Sequence, residues 1–160
     1  MDVTIVAGST SDKDYVIECA KTLKELNIKY EIKFISAHRN PEILMEEIKN
    51  SDSNVFIAIA GMAAALPGFI SSITHKPVIG VPLSGKVPFD SILSILQLPK
   101  GVPVATVGVD NAKNAALLAA RIISLYNKDV EKSLLEYIKK EKEKSYNDGK
   151  NLAKELNENV

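Results

Sequence analysis

Apolar residues along this chain keep two rhythms. Short runs at Val3 to Ala7, Tyr30 to Ile35, Val55 to Ala60, Pro77 to Val81 and Val102 to Val107 read as strands. The run Val55-Phe56-Ile57-Ala58-Ile59-Ala60 is apolar at every position, as expected of a parallel strand covered on both faces. Between the runs, apolar residues recur at a helical spacing of about 3.6 residues. They fall at Val16, Ile17, Ala20, Leu23 and Leu26, then at Ile43, Leu44 and Ile48. Further helices are predicted over Ala63 to Thr74 despite Pro67, over Phe89 to Leu96, and over Ala112 to Tyr126. In the last of these Ala115, Ala116, Ala119, Ile122 and Ile123 share the apolar side. Five strands alternating with helices predict an α/β fold: a five-stranded parallel sheet, right-handed crossovers and helices on both faces.

The end of the chain follows another pattern. Val130, Leu134, Leu135 and Ile138 keep helical spacing from Lys128 to about Tyr146, and Lys139-Lys140-Glu141-Lys142-Glu143-Lys144 interrupts them with mixed charge. Such a run is a solvated helix face rather than a nucleic-acid arm. The predicted organisation is therefore an α/β domain over residues 1–127, then an extra C-terminal helix and charged tail over 128–160. The apolar half of that helix is expected to pack on the domain or, by preference, on a neighbouring subunit.

Charge narrows the partners. Twenty Lys and Arg balance twenty Asp and Glu, so electrostatic capture of nucleic acid or of an anionic membrane is not expected. The longest apolar stretch, Val55 to Ile70, is broken by Gly61, Pro67 and Gly68 and falls short of the ~20 residues of a membrane span. The amino terminus lacks the pattern of a signal peptide. A cytoplasmic protein is the expectation. Cys19, the single cysteine, sits on the apolar side of the first helix and is expected to be a buried thiol.

In open α/β sheets ligands bind beyond the carboxyl ends of the strands, which directs attention to three loops. The second predicted strand delivers Ser36-Ala37-His38-Arg39-Asn40-Pro41. An imidazole moves protons near neutral pH, and an arginine grips phosphate or carboxylate through its fork of donors. A lone loop histidine is more often structural or merely exposed, and its place beside Arg39 is what favours function. After the first strand, Gly8-Ser9-Thr10-Ser11-Asp12 offers backbone N–H groups and hydroxyls to a phosphate, and a carboxylate to a sugar diol. The plainer reading of that loop is helix capping by Ser11 or Asp12. After the third strand, Gly61-Met62-Ala63-Ala64-Ala65-Leu66-Pro67-Gly68 lets backbone approach a planar ligand, or equally permits tight helix packing. His75 is expected to cap a helix end or face solvent.

Several classes drop out. No Gly-x-Gly-x-x-Gly or Gly-Lys-Ser/Thr motif supports NAD or ATP, and no Gly-x-Ser-x-Gly elbow supports a serine hydrolase. A metal site would need the distant His38, His75 and Cys19 to converge, and none is expected.

Taken together with Pro99-x-Gly101-Val102-Pro103-Val104-Ala105-Thr106 and Asn114-Ala115-Ala116-Leu117-Leu118-Ala119-Ala120, these stretches resemble one family. It comprises the 5-(carboxyamino)imidazole ribonucleotide mutases and their sister branch, the phosphoribosylaminoimidazole carboxylases, of de novo purine synthesis. The resemblance runs from about Val3 to Tyr126. It implies a flavodoxin-like three-layer α/β/α sandwich assembled as a homo-octamer, without metal or organic cofactor. It also implies that Ser9, Ser11, Ser36 and Arg39 hold the ribonucleotide phosphate and Asp12 the ribose. The loop from Gly61 through Ala65 to Leu66 would lie against the imidazole ring, with His38 as general acid and base. In the family scheme the carbamate loses carbon dioxide, the adjacent ring carbon captures it, and the histidine removes the proton displaced there.

Three departures separate this chain from the familiar mutase pattern. Ala65 stands where mutases usually have histidine, Asn40 replaces a common threonine, and the segment Pro82 to Pro99 is shorter. The carboxylases also have Ala-Leu at 65–66, but they place Arg-Ser-Asn before it and commonly lysine at the position of Arg39. The mutase reading is preferred. The alternatives are an aminoimidazole ribonucleotide carboxylase that uses carbon dioxide directly and a ribonucleotide-binding module without catalysis. A nickel-pincer nucleotide carboxylase shares the look of residues 61–67, but its chemistry uses a late cysteine, and this chain has none after Cys19.

Overall fold

The computed structural model of the chain describes residues 1–86 and 88–158. Five parallel strands, β1 (Val3–Ala7), β2 (Tyr30–Phe34), β3 (Val55–Ala60), β4 (Val78–Pro82) and β5 (Ala105–Thr106), lie in the order β2-β1-β3-β4-β5. All four pairings are parallel, for example Ile5 opposite Ile32 on one side and Ile57 on the other. This is the flavodoxin-like doubly wound order, whose direction reverses between β1 and β3.

Side-chain alternation on β3 builds both cores. Val55, Ile57 and Ile59 face α1 (Lys13–Glu25), α5 (Ala112–Ser124) and the start of α6 (Lys128–Glu158). Phe56, Ala58 and Ala60 face α2 (Pro41–Lys49), α3 (Ala65–Ile73) and α4 (Pro88–Leu96). Every residue of β1, β3 and β4 is buried, as expected of central parallel strands covered on both faces. The lone polar residue of β1, Thr4, is fully buried and satisfied by the Ser53 hydroxyl at 2.7 Å and by Glu31 at 2.8 Å. Gly80 is needed for α4 to close on β4. A Cβ there would lie 2.7 Å from Ile95 Cγ2 and 2.9 Å from Val104 Cγ1, both methyls on stiff β-branched side chains.

Several expectations are corrected. The fifth strand pairs over Ala105–Thr106 rather than Val102 to Val107, with one further bond from the Val107 N–H to the Gly80 carbonyl. Pro103 has no N–H to donate, and the Val102 N–H turns back to the Pro99 carbonyl, so the edge strand starts late. Helix α3 begins at Ala65, which puts Pro67 in its first turn, where the missing N–H costs nothing. Ile17 and Ile43 are exposed, because Val16 and Leu44 take the inward positions.

The last helix runs on to Glu158, well past Tyr146. Lysine and glutamate are good helix formers, and pairs such as Lys139–Glu143 and Lys154–Glu158 add i,i+4 support along its exposed length. Its first turns pack on the chain's own domain: Val130, Leu134 and Tyr137 are buried beside α5. Lys113 of α5 lies over the Tyr137 ring at 5.4 Å and pairs with Glu141 at 3.6 Å. Leu135 faces solvent instead. No described helix is long and apolar enough to cross a membrane.

Candidate active site

Because β1 lies between β2 and β3, the loops leaving their carboxyl ends stand side by side at the switch point of the sheet. These are the three loops singled out in the sequence.

The first loop is shaped by its own serines. Ser9, in extended conformation, caps a 3₁₀ turn over Thr10–Asp12, its Oγ accepting from the Ser11 N–H at 3.2 Å. The Ser11 hydroxyl lies 2.9 Å from Ser9 Oγ and 3.0 Å from Asp12 Oδ1. Its single proton serves one of these at a time, so the cluster is ready to exchange a partner for an incoming anion. Asp12 precedes α1 without bonding the helix through its side chain, which leaves its carboxylate available at the rim.

The second loop is tied to the first. Arg39 Nη2 donates to the Gly8 carbonyl at 3.0 Å, and the Arg39 N–H donates to Ser36 Oγ at 3.3 Å. One arm of the guanidinium thus anchors the loop, while its other donors have no acceptor among the described residues. His38 is exposed, and its imidazole makes no hydrogen bond to another described residue. It stands on a loop whose backbone is fixed on both sides, by Ile35 N–H to the Ala7 carbonyl and Asn40 N–H to the Ser36 carbonyl.

The third loop carries backbone strain. Met62 (φ 54°) and Ala64 (φ 37°) are left-handed, a conformation that L-residues other than glycine adopt at a cost. Ala64 is also the cap of α3 and offers the first N–H groups of that helix no side-chain acceptor. Ala65 is half-buried, whereas Leu66 is 3% exposed and packs into the core, so a ligand would meet it through backbone. Met62 is 81% exposed.

The structure therefore brings Ser9, Ser11, Asp12, Ser36, His38, Arg39, Gly61 and Ala65 to one end of the sheet. Residues set aside in the sequence lie elsewhere. His75 precedes β4, at the opposite end of the sheet, and faces solvent. Cys19 is fully buried in α1, and burial, with Glu18 adding a little, pushes its thiol up to about 12. Sequence reasoning missed a contact between Ser84 and Asp110: the Ser84 N–H donates to Asp110 Oδ1 at 2.9 Å. Only an Asp-Asn pair before a helix signals it, and Asn111 is the member that caps α5, accepting from the Asn114 N–H at 3.0 Å.

Comparison with known proteins agrees with this architecture. The model of a family described as AIR carboxylase matches residues 2–144. An N5-carboxyaminoimidazole ribonucleotide mutase of Methanocaldococcus jannaschii is 47% identical over 145 residues, 90% of this chain and 92% of that one. A second, from Pyrococcus horikoshii, is 48% identical over 155 residues, covering 94% and 88%. Among solved structures, Treponema denticola PurE superposes with a TM-score of 0.85 at 35% identity, covering 94% of this chain and 97% of that one.

Proposed function

This chain belongs to the AIR carboxylase family, and from that premise we propose that it converts 5-(carboxyamino)imidazole ribonucleotide to 4-carboxy-5-aminoimidazole ribonucleotide in purine biosynthesis. The observation that carries the reading is the tie between the first two loops. Arg39 binds the Gly8 carbonyl and keeps donors free, so hydroxyls, guanidinium and imidazole share one rim. Ser9, Ser11, Ser36 and Arg39 hold the phosphate, Asp12 the ribose diol, and the backbone of Gly61 to Leu66 the ring.

The reaction is then a proton-balanced transfer. The bond between the exocyclic nitrogen and the carboxyl carbon breaks, carbon dioxide is released within the pocket, and His38 supplies the proton the nitrogen needs. The adjacent ring carbon attacks carbon dioxide, forming the new carbon–carbon bond and leaving that carbon with one hydrogen too many. His38 takes this hydrogen as a proton, and the ring regains aromaticity. The left-handed Met62 and Ala64 hold the third loop in a shape it would not adopt unaided, as expected of a surface built to meet a ring.

Ala65 favours a second reading, direct carboxylation of aminoimidazole ribonucleotide by free carbon dioxide. The two are separated by a paired assay. One arm supplies the carbamate substrate without bicarbonate, the other aminoimidazole ribonucleotide with bicarbonate. The mutase turns over the first efficiently and the second poorly, and the reverse preference overturns the mutase reading. We further propose that the protein works in the cytoplasm as an octamer, a reading supported by the exposed Phe89, Leu93 and Leu96 on α4. A monomer in light scattering at micromolar concentration would contradict the octamer.

A further inference from the structure

The third loop keeps one long apolar side chain out of the core, and at a cost. The Ala64 N–H donates to the Gly61 carbonyl at 3.0 Å and closes a turn at the carboxyl end of β3, with Met62 and Ala63 at its corners. Met62 takes the first corner at φ 54°, where a turn of positive φ mostly carries glycine, asparagine or aspartate. A methionine there costs conformational energy that glycine would not. Packing does not offset the cost. Met62 is 81% exposed, whereas Leu66, the other long apolar side chain of the loop, is buried. Across residues 8–12, 36–41 and 61–68, the three loops at the switch point, Met62 is the one long apolar side chain that is exposed. Strain without a packing return, placed at the rim of the site, points to a contact made only when the site is filled.

We propose that Met62 is a substrate-contacting residue: its side chain closes over the substrate ring and holds in the carbon dioxide formed there. This rests on the ribonucleotide reading above. The nitrogen–carboxyl bond breaks with its electron pair left on nitrogen, which takes a proton from His38. The carbon dioxide set free is neutral and apolar, so it stays only if it is enclosed until the ring carbon attacks it. His38, Arg39, Asp12 and the serines are polar and cannot supply an apolar cover. The thioether of Met62 can, being flexible, apolar and attracted to aromatic rings. The phosphate contacts at Ser9, Ser36 and Arg39 do not involve it.

The test supplies the carbamate substrate with an isotope-labelled carboxyl group in buffer containing unlabelled bicarbonate. It reads the label in the 4-carboxy-5-aminoimidazole ribonucleotide formed, corrected for spontaneous loss in a sample without protein. Met62→Gly removes both strain and side chain, and Met62→Asn tolerates the left-handed backbone but gives no apolar cover. Met62→Leu keeps the cover. The parent and Met62→Leu retain the label, whereas Met62→Gly and Met62→Asn lose most of it and release aminoimidazole ribonucleotide. In calorimetry these two bind aminoimidazole ribonucleotide about two- to tenfold more weakly, as loss of a sulfur–aromatic contact implies. They bind inorganic phosphate as the parent does. They melt at or above the parent temperature, because no packing is lost and the left-handed backbone becomes cheaper. Label retained by both, label lost by the parent or by Met62→Leu, or a lower melting temperature in both would overturn the proposal. A parent that binds the ribonucleotide but leaves the carbamate unreacted refutes the mutase reading. The affinities of Met62→Gly and Met62→Asn then judge the contact, and unchanged values overturn it. A parent that does not bind the ribonucleotide overturns both.

Discussion

Replacing His38 by Asn lowers turnover of the carbamate substrate by about 10²- to 10⁴-fold, the contribution expected of a positioned general acid and base. Asparagine keeps the polarity and roughly the size of the imidazole but neither gives nor takes a proton. Binding should survive, because the groups proposed to hold the ribonucleotide lie on the neighbouring residues and on the other two loops. The loop itself should keep its shape. Its bonds run from Ile35 to Ala7, Asn40 to Ser36 and Arg39 to Gly8, and His38 takes part in none of them. Calorimetry with aminoimidazole ribonucleotide and steady-state kinetics on one preparation measure the two quantities. Parent-like kcat in the variant would remove His38 from the mechanism.

Arg39→Ala should instead strike affinity. The guanidinium has two tasks, gripping the phosphate and tethering its loop to the Gly8 carbonyl at 3.0 Å. A hydrogen bond to a charged group contributes about 1.5–3 kcal/mol, which corresponds to roughly 10- to 150-fold in KM. Arg39→Lys keeps the charge and loses the fork, so it should fall between parent and alanine. An unchanged KM in Arg39→Ala would show that the phosphate sits elsewhere.

The three loops were legible in the sequence because each follows an apolar run that leaves a strand no alternative partner. Val55 to Ala60, apolar throughout, could only be a central strand, and Gly61 had to end it. The edge strand was less legible. Val102 to Val107 has the composition of a strand, but Pro103 removes a donor, and the pairing shrinks to Ala105–Thr106. The C-terminal helix was underestimated for the opposite reason. Its apolar signal fades after Ile138, while lysine, glutamate and their i,i+4 pairs keep the helix going. The first turns of that helix lie against α5, since Val130, Leu134 and Tyr137 all turn inward and only Leu135 is left outside.

The Ser84–Asp110 bond was invisible for a topological reason: its partners meet only because the loops after β4 and β5 gather at one end of the sheet. No periodicity records such a meeting. The left-handed Met62 and Ala64 were hidden too, since nothing in their identity announces a conformation that glycine would adopt more cheaply.

The most direct test of the central claim is a crystal structure of the protein with 4-carboxy-5-aminoimidazole ribonucleotide bound. The phosphate is expected among Ser9, Ser11, Ser36 and Arg39, the ribose on Asp12, and the ring carboxyl between His38 and the backbone at Gly61 to Ala65. A polar groove lined by Lys49, Ser72, His75 and Lys76 lies away from these loops. Phosphate density in that groove, with the carboxyl-end loops unchanged, would contradict the account.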